Sequence, residues 1–528
     1  MSIRVSDRSA LTGPRERSRL PSAAVLQRRQ IPARPWARPL AAVAAGAVLA
    51  GTTAAVVAGR RRRSRTAGPG ATLSSTSRAA RNLQIAALSA RVAGASARHR
   101  ARATFASAER KEALRDELAM RTATDVAETL GNMKGALMKI GQMASYVDEG
   151  LPEPLRQALS QLQADAPAMS AELAASVVEA ELGRPPDELF ERWDPLPIAA
   201  ASIGQVHRAL TRDGRAVAVK VQYPGVAEAI GSDLANADLI FGTLSYAFPG
   251  LDPAPLVAEL KARLGEELDY RQEAENQQLF ADFYAGHPFI RIPAVHHDLS
   301  TDRVLATELV TGATFAEVDG WDQHEKDRIG EILYRFVFRS LYRLSAFNGD
   351  PHPGNYLFVR GGPVTFLDFG LVRRFDTGEL ARFRAMITAM VIDRDPDAFR
   401  RAVVAAGLLH ADAPVSTEDV VEYFSRFYEL VRQPGPVTCS PAYASATVRQ
   451  TFNRQSPVTR YTTVPASFVL IQRINLGLFA LLGRLGATAD WRRVTEEIWP
   501  WVEGAPSTPL GEAEAAWARD AAHLTGRG

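Results

Sequence analysis

Two acidic stretches joined by a hairpin constrain this chain more than anything else in it. The first runs Asn348-Gly349-Asp350-Pro351-His352-Pro353-Gly354-Asn355, and the second is Phe366-Leu367-Asp368-Phe369-Gly370. Between them, the apolar runs 356–359 and 364–367 flank Arg360-Gly361-Gly362-Pro363, which reads as strand, tight turn, strand. Such a hairpin holds both acidic ends at one edge of a cleft. Asp368 and Asn355 offer the oxygen ligands that a hard cation such as Mg²⁺ takes. Asp350 can accept a proton from a hydroxyl or orient a water. Either stretch alone would be an ordinary solvated turn. Together, in this order and at this spacing, they match the catalytic loop and metal-binding triplet of phosphoryl-transfer enzymes.

A second strand pair lies upstream. Residues 197–209 read as a loop followed by a strand, Asp213-Gly214 as a hairpin turn, and Ala216-Val217-Ala218-Val219-Lys220-Val221-Gln222 as the partner strand. Val-Ala-Val-Lys matches the strand lysine that contacts nucleotide phosphates in kinases, which makes Lys220 the candidate. The loop before it, Ala199-Ala200-Ala201-Ser202-Ile203-Gly204, occupies the place of a glycine-rich phosphate cover. Alanine keeps the small profile but loses free access to positive φ, so a stiffer cradle is expected. A helix glutamate must pair with Lys220. Residues 255–285 read as one long helix, and Glu267, Asp269 and Glu273 on it are all candidates. Residues 304–312 read as an apolar strand ending in a hinge whose backbone, from Glu308 to Val310, would hold an adenine edge. Residues 325–347 read as the helix that delivers Asp350. No Ala-Pro-Glu triplet comes after Gly370 at a suitable distance, so the usual platform for peptide substrates is missing or replaced.

At 528 residues the chain is long enough for two domains or one large two-lobed one. Its one cysteine, Cys439, excludes an internal disulfide framework and suits a reducing compartment. The net charge of +3 conceals a split: residues 1–108 hold 20 Arg, no Lys and two acids, so the rest of the chain is acidic. A basic arm on an acidic body suggests contact with anionic lipid or nucleic acid, the plain alternative being a solvated tail. The family resemblance set out below implies membrane or isoprenoid lipid as the partner, and not nucleic acid. Residues 1–36 read as disordered. Residues 39–59 carry no charge and are long enough to span a bilayer, with Arg60 to Arg63 and Arg65 placing the C-terminal side in the cytoplasm. A helix lying on the membrane is the alternative. Farther on, Met133, Leu137, Ile140, Ala144 and Val147 form an apolar helical stripe, with Lys139 and Gln142 on a different face. The pattern from 151 to about 189 is helical, 377–502 is mostly helical, and the residues from 509 read as a short tail.

Taken together, these residues resemble the AarF/UbiB family of atypical kinases, from about Leu130 to about Trp499. The resemblance rests on Lys139-Ile140-Gly141-Gln142, the alanine-rich loop 199–206, Glu267-Leu268-Asp269, and the Asp350–Asn355 loop. It implies an α+β, two-lobed protein-kinase-like fold with a helical N-terminal extension lying over the cleft. Within that frame 72–150 would be the extension, 151–312 the N-lobe, 313–510 the C-lobe and 511–528 a tail. It further implies that Lys139, Gly141 and Gln142 face the site with Glu267 and Asp269 and regulate it. Glu273 becomes the partner of Lys220, and Asp368 with Asn355 ligates Mg²⁺ beside ATP or ADP. The family's activity, ATP binding and hydrolysis linked to isoprenoid quinones and membrane lipids, is expected here, with partner enzymes or a homodimer. One departure stands out. Many members carry His two residues before the catalytic-loop Asp, and here that residue is Asn348. A small-molecule kinase of the choline or aminoglycoside type and a nucleotide-gated lipid-binding scaffold are the rival readings.

Overall fold

The computed structural model describes residues 169–227 except 202, residue 265, residues 268–443, and residues 456–525 except 463–465, with scattered positions between 91 and 114. The expected arm, the 39–59 segment and the Lys139-to-Gln142 stretch lie outside the described residues. So do Ser202 and Glu267.

Helix α1 (Ala171–Leu182) starts on a Ser170 cap and stops at Gly183, which adopts φ +75°. The helical pattern expected through to 189 therefore breaks there. Strands β1 (Phe190–Ala201), β2 (Gly204–Thr211), β3 (Ala216–Gln222) and β5 (Val304–Glu308) form one antiparallel sheet in the order β1-β2-β3-β5. The β2–β3 turn is the expected Asp213-Gly214 hairpin, with Gly214 at φ +84° and its N–H donating to the Thr211 carbonyl at 2.9 Å.

The alanine-rich stretch is a correction to the sequence reading. It is the end of a strand and not a loop: Ala199 pairs with Val206, Ala200 with Gln205 and Ala201 with Gly204. Proline hid this strand, because Pro195 and Pro197 lack the N–H of a regular ladder. The strand accommodates them through register shifts between Trp193 and Ala199. Gly204 is required for close approach. A Cβ there would lie 2.2 Å from the Val221 carbonyl oxygen.

The single helix expected over 255–285 is also corrected. Helix α2 covers Tyr270–Phe283, and Asp269, in extended backbone, caps it by accepting from the N–H groups of Arg271 and Gln272. Aspartate competes well for such a cap, which breaks a helical pattern that its neighbours would continue.

The remaining half is mostly helical. Helix α3 (Gln323–Arg339) runs through its core and ends in a π-turn, Ser340–Leu344, before strand β6 (Ala346–Asn348). The helix expected to reach 347 thus stops at Arg339, because the chain must turn through Ser345 at φ +55° to enter the site. Strands β7 (Tyr356–Phe358) and β8 (Val364–Phe366) form the expected hairpin, and the two-residue strand β4 (Ile290–Arg291) adds to it in parallel. Strand β9 (Val372–Arg374) pairs with β6. Helices α4 (Thr377–Ile387), α5 (Pro396–Ala405), α6 (Thr417–Ser425), α7 (Ala466–Leu485) and α8 (Trp491–Ile498) share one apolar core with α3, and α7 and α8 pack directly on it. Phe336 of α3 stacks on Phe366 with ring centroids 3.7 Å apart, fixing the hairpin to this core.

The expected tail is instead helix α9 (Pro509–Thr525), docked on the core. Arg335, fully buried on α3, donates to Glu331 at 2.7 Å, to Glu497 at 2.7 Å and to Glu514 of α9 at 2.9 Å. The Trp517 indole donates to the Ala285 carbonyl just past α2. Among the described residues no helix is long and apolar enough to cross a membrane.

Candidate active site

Lys220 lies on β3, half-buried, with its ammonium 2.8 and 2.9 Å from the two carboxylate oxygens of Glu273. Asp368 Oδ2 stands 3.7 Å away, and the Tyr270 ring 4.9 Å away. Burial disfavours the ammonium. The Glu273 and Asp368 carboxylates overcome that penalty and hold Lys220 well above the ordinary lysine range. The helix start explains the choice of acid: with Asp269 as the cap, Glu273 falls in the first turn of α2, where a carboxylate suits the helix dipole. Of the two of these acids among the described residues, Glu273 is the one the structure brings to Lys220. Asp269 spends a carboxylate oxygen on the cap.

Asp368, Phe369 and Gly370 come directly after β8. Phe369 is buried under α2, with its ring 5.0 Å from that of Phe280, and its carbonyl accepts from Asn276 Nδ2 at 3.2 Å. The helix that carries Glu273 thereby also grips the triplet. Asp368 Oδ1 accepts from the Gly370 N–H at 3.0 Å. Across the hairpin, Asn355 Nδ2 donates to the Asp350 carbonyl at 3.0 Å and to Asp350 Oδ2 at 3.3 Å. Asn348 joins the two acidic stretches. Its amide donates to the Asp368 carbonyl at 2.5 Å, and its Oδ1 accepts from the Asp350 N–H at 3.3 Å. An asparagine in this position thus binds backbone on both sides.

The hinge is partly committed. The Glu308 N–H donates to the Ala294 carbonyl at 2.8 Å and the Leu309 N–H to the Ala216 carbonyl at 2.9 Å. The Glu308 carboxylate pairs with Arg291. Ala199 and Ala200 are exposed, Ala201 is partly so, and Gly204 is buried. Beyond Gly370, only residues 371–376 precede α4, which leaves no room for a long substrate-binding segment.

Sequence reasoning passed over Asn276. It lies three residues beyond Glu273 on a helix, hence on the same face. That spacing was the available signal. Tyr270, on which the sequence offered no reading, also belongs here, with its ring beside the Lys220 ammonium.

A lysine beside two acids, an acid–amide loop and an Asp-Phe-Gly triplet on one hairpin are the arrangement of a kinase-like fold. The model of the ABC1 atypical kinase-like domain family matches residues 161–403. The mitochondrial atypical kinase COQ8B of Rattus norvegicus is 38% identical over 255 residues, 48% of this chain and 48% of that protein. The mitochondrial atypical kinase COQ8 of Saccharomyces cerevisiae is 29% identical over 382 residues, 71% of this chain and 76% of that one. The Mycobacterium tuberculosis protein Rv3197, solved as a complex with erythromycin, superposes with a TM-score of 0.55 at 31% identity, covering 74% of this chain and 98% of that one. The chain belongs to the ABC1/AarF family of atypical kinases. It spans about half the length of the rat relative.

Proposed function

We propose that this protein binds Mg-ATP and works as an atypical kinase or ATPase at a membrane, in or regulating isoprenoid quinone or membrane-lipid metabolism. The observation that carries the reading is the Lys220 ammonium held between Glu273 and Asp368. A lysine fixed by a glutamate is positioned to meet phosphate oxygens.

The donor set fits magnesium. Among the described residues no three His, Cys, Asp or Glu side chains gather to hold a metal by themselves. Asp368 and Asn355 are hard oxygen donors, and Mg²⁺ commonly takes one or two such groups plus phosphate oxygens and water. When bound, the ion would neutralise phosphate charge. Lys220 would neutralise more of it, Glu273 keeping the amine protonated and aimed. Asp350, steadied by Asn355, would orient a hydroxyl or water and take its proton. Asn348 keeps the Asp350 loop and the Asp368 backbone in register. Val310 would supply the hinge amide for adenine, because those of Glu308 and Leu309 are already bonded. Ala199 to Ala201, Ser202 and Gly204 would cover the phosphates from the strand turn.

The short path from Gly370 to α4 favours hydrolysis or a small acceptor over a peptide. Lys139, Gly141 and Gln142, with Glu267 and Asp269, are assigned a regulatory role by family resemblance.

The test is Mg-ATP turnover by the full chain, with and without liposomes of anionic phospholipid, beside Asp368→Ala and Lys220→Ala. Phosphate release that needs both residues and rises with liposomes supports the reading. Nucleotide binding unchanged in both variants overturns it.

A further inference from the structure

Helix α9 contributes none of the candidate site residues, yet it contacts both elements that deliver them. Helix α2 carries Glu273 and Asn276 near its start, and its far end leads into Tyr284, Ala285 and His287. Helix α3 leads through the π-turn Ser340–Leu344 into β6 and the Asp350 loop. On the α2 side, the half-buried Trp517 of α9 donates its indole N–H to the Ala285 carbonyl at 2.9 Å. Its ring packs against His287 with centroids 4.4 Å apart. On the α3 side, the Arg339 guanidinium lies 5.0 Å over the same indole, and Glu514 pairs with Arg335 and Arg339. Where α2 and α3 meet, the Tyr284 hydroxyl donates to the Phe336 carbonyl at 3.2 Å and meets Ser340 Oγ at 2.8 Å.

The geometry makes α2 a lever. Glu273 stands about 15 Å from the Phe283 end of α2, at 1.5 Å per residue. A tilt of about 5° at that end would carry its carboxylate roughly 1.3 Å. The bonds to Lys220 are 2.8 and 2.9 Å long, so that displacement takes them out of hydrogen-bond range. Phe280 holds the middle of α2 against Phe336 and Phe369, but apolar contact is not directional. The angle is therefore set by the hydrogen bonds at the two ends. At the near end Lys220 must also serve phosphate oxygens, so the far end has to hold. We propose that Trp517 is a positioning residue for the Lys220 site, bolting α2 to α3 so that Glu273 and Asn276 stay in register with Lys220 and the Asp-Phe-Gly triplet. Its effect on turnover rests on the Mg-ATP reading, and its effect on Lys220 does not.

The experiment reads Lys220 in the full chain without nucleotide. The chain holds six lysines, so acetylation by acetic anhydride with peptide mass spectrometry gives Lys220 its own rate. A buried, paired ammonium reacts in proportion to the time α2 spends moved away from it. Trp517→Phe keeps a ring against His287 and Arg339 but loses the bond to Ala285. Loss of one such bond should raise the Lys220 rate about fivefold. Trp517→Ala loses the ring as well and should raise it further; if that variant fails to fold, Trp517→Phe decides alone. Val403→Ala opens a cavity in the core at α5, and should lower the melting temperature while leaving the Lys220 rate unchanged. An unchanged rate in Trp517→Phe overturns the proposal. So does an equal rise in Val403→Ala, because Lys220 would then open only by global unfolding. Mg-ATP turnover of the same samples should fall in Trp517→Phe and hold in Val403→Ala. Full turnover in Trp517→Phe beside an active wild type overturns the proposal too. A wild-type chain with no turnover counts against the Mg-ATP reading alone, and the Lys220 rate still decides.

Discussion

Replacing Glu514 by glutamine should destabilise the protein in a pH-dependent way that the structure allows to be worked out. Glu514 is 3% exposed and accepts from Arg335 Nη1 at 2.9 Å, with Arg339 Nη1 3.4 Å away. It also meets His287 Nε2 at 3.3 Å. The His287 ring is neutral, since burial lowers its pKa. Its Nδ1 accepts from the N–H groups of Phe289 and Ile290, so Nε2 carries the proton and donates to Glu514. Burial alone would raise the Glu514 pKa. The His287 bond and the two arginines outweigh it and bring the carboxyl to about 2, from an ordinary 4.5.

A folded pKa below the unfolded one contributes stability that is fully present above pH 4.5 and lost as pH falls toward 2. The difference is worth about 3 kcal/mol at pH 7 and roughly 2 kcal/mol at pH 3.5. It agrees with the general cost of breaking a buried ion pair, about 3 to 5 kcal/mol. Urea unfolding of the full chain, monitored by tryptophan fluorescence, should put the Glu514→Gln midpoint about 1 M below wild type at pH 7. The gap should narrow toward pH 3.5. Equal midpoints at pH 7, or a gap that does not change with pH, would refute the reasoning.

Single contacts give three further expected outcomes. Asn348→Ala removes the bond to the Asp368 carbonyl and should lower Mg-ATP turnover about tenfold with little change in melting temperature. Asn348→His, which restores a ring donor, should recover part of it. Gly477→Ala forces a methyl against Pro351 and should destabilise by about 1 to 3 kcal/mol, read as a lower urea midpoint, while also slowing turnover. Cys439 is fully buried and its thiol is pushed up to about 12, so iodoacetamide at pH 8 should leave it unmodified in the folded chain and alkylate it in urea.

The site was legible where chemistry depends on residues close in sequence. Asp350 and Asn355, Asp368 to Gly370, the Arg360-to-Pro363 turn and the strand bearing Lys220 were all readable from local pattern, and the kinase-like fold followed from their order. Contacts between distant residues were not readable in this way. Nothing local distinguishes Glu273 from Asp269 as the lysine's partner. The distinction comes from the Asp269 cap, which sets where α2 starts. The strand at Ala199 was masked by two prolines. Helix α9 was missed because its Ala- and Glu-rich surface reads as solvated, whereas its buried glutamate answers an arginine far upstream.

The Arg335–Glu514 bond also sets a clock for synthesis. The two residues are 179 positions apart. At about 5 to 20 residues per second, the ribosome takes roughly 10 to 35 s to make the chain between them. For most of that interval the guanidinium has only its local helix neighbour, Glu331, because Glu497 and Glu514 are both made near its end, and burying it earlier would leave its remaining donors unmet. The helical half therefore stays hydrated around α3 until α9 has emerged. Nascent chains stalled before residue 508 should accordingly remain open to proteases and chaperones, even with every residue around Lys220 and Asp368 already made.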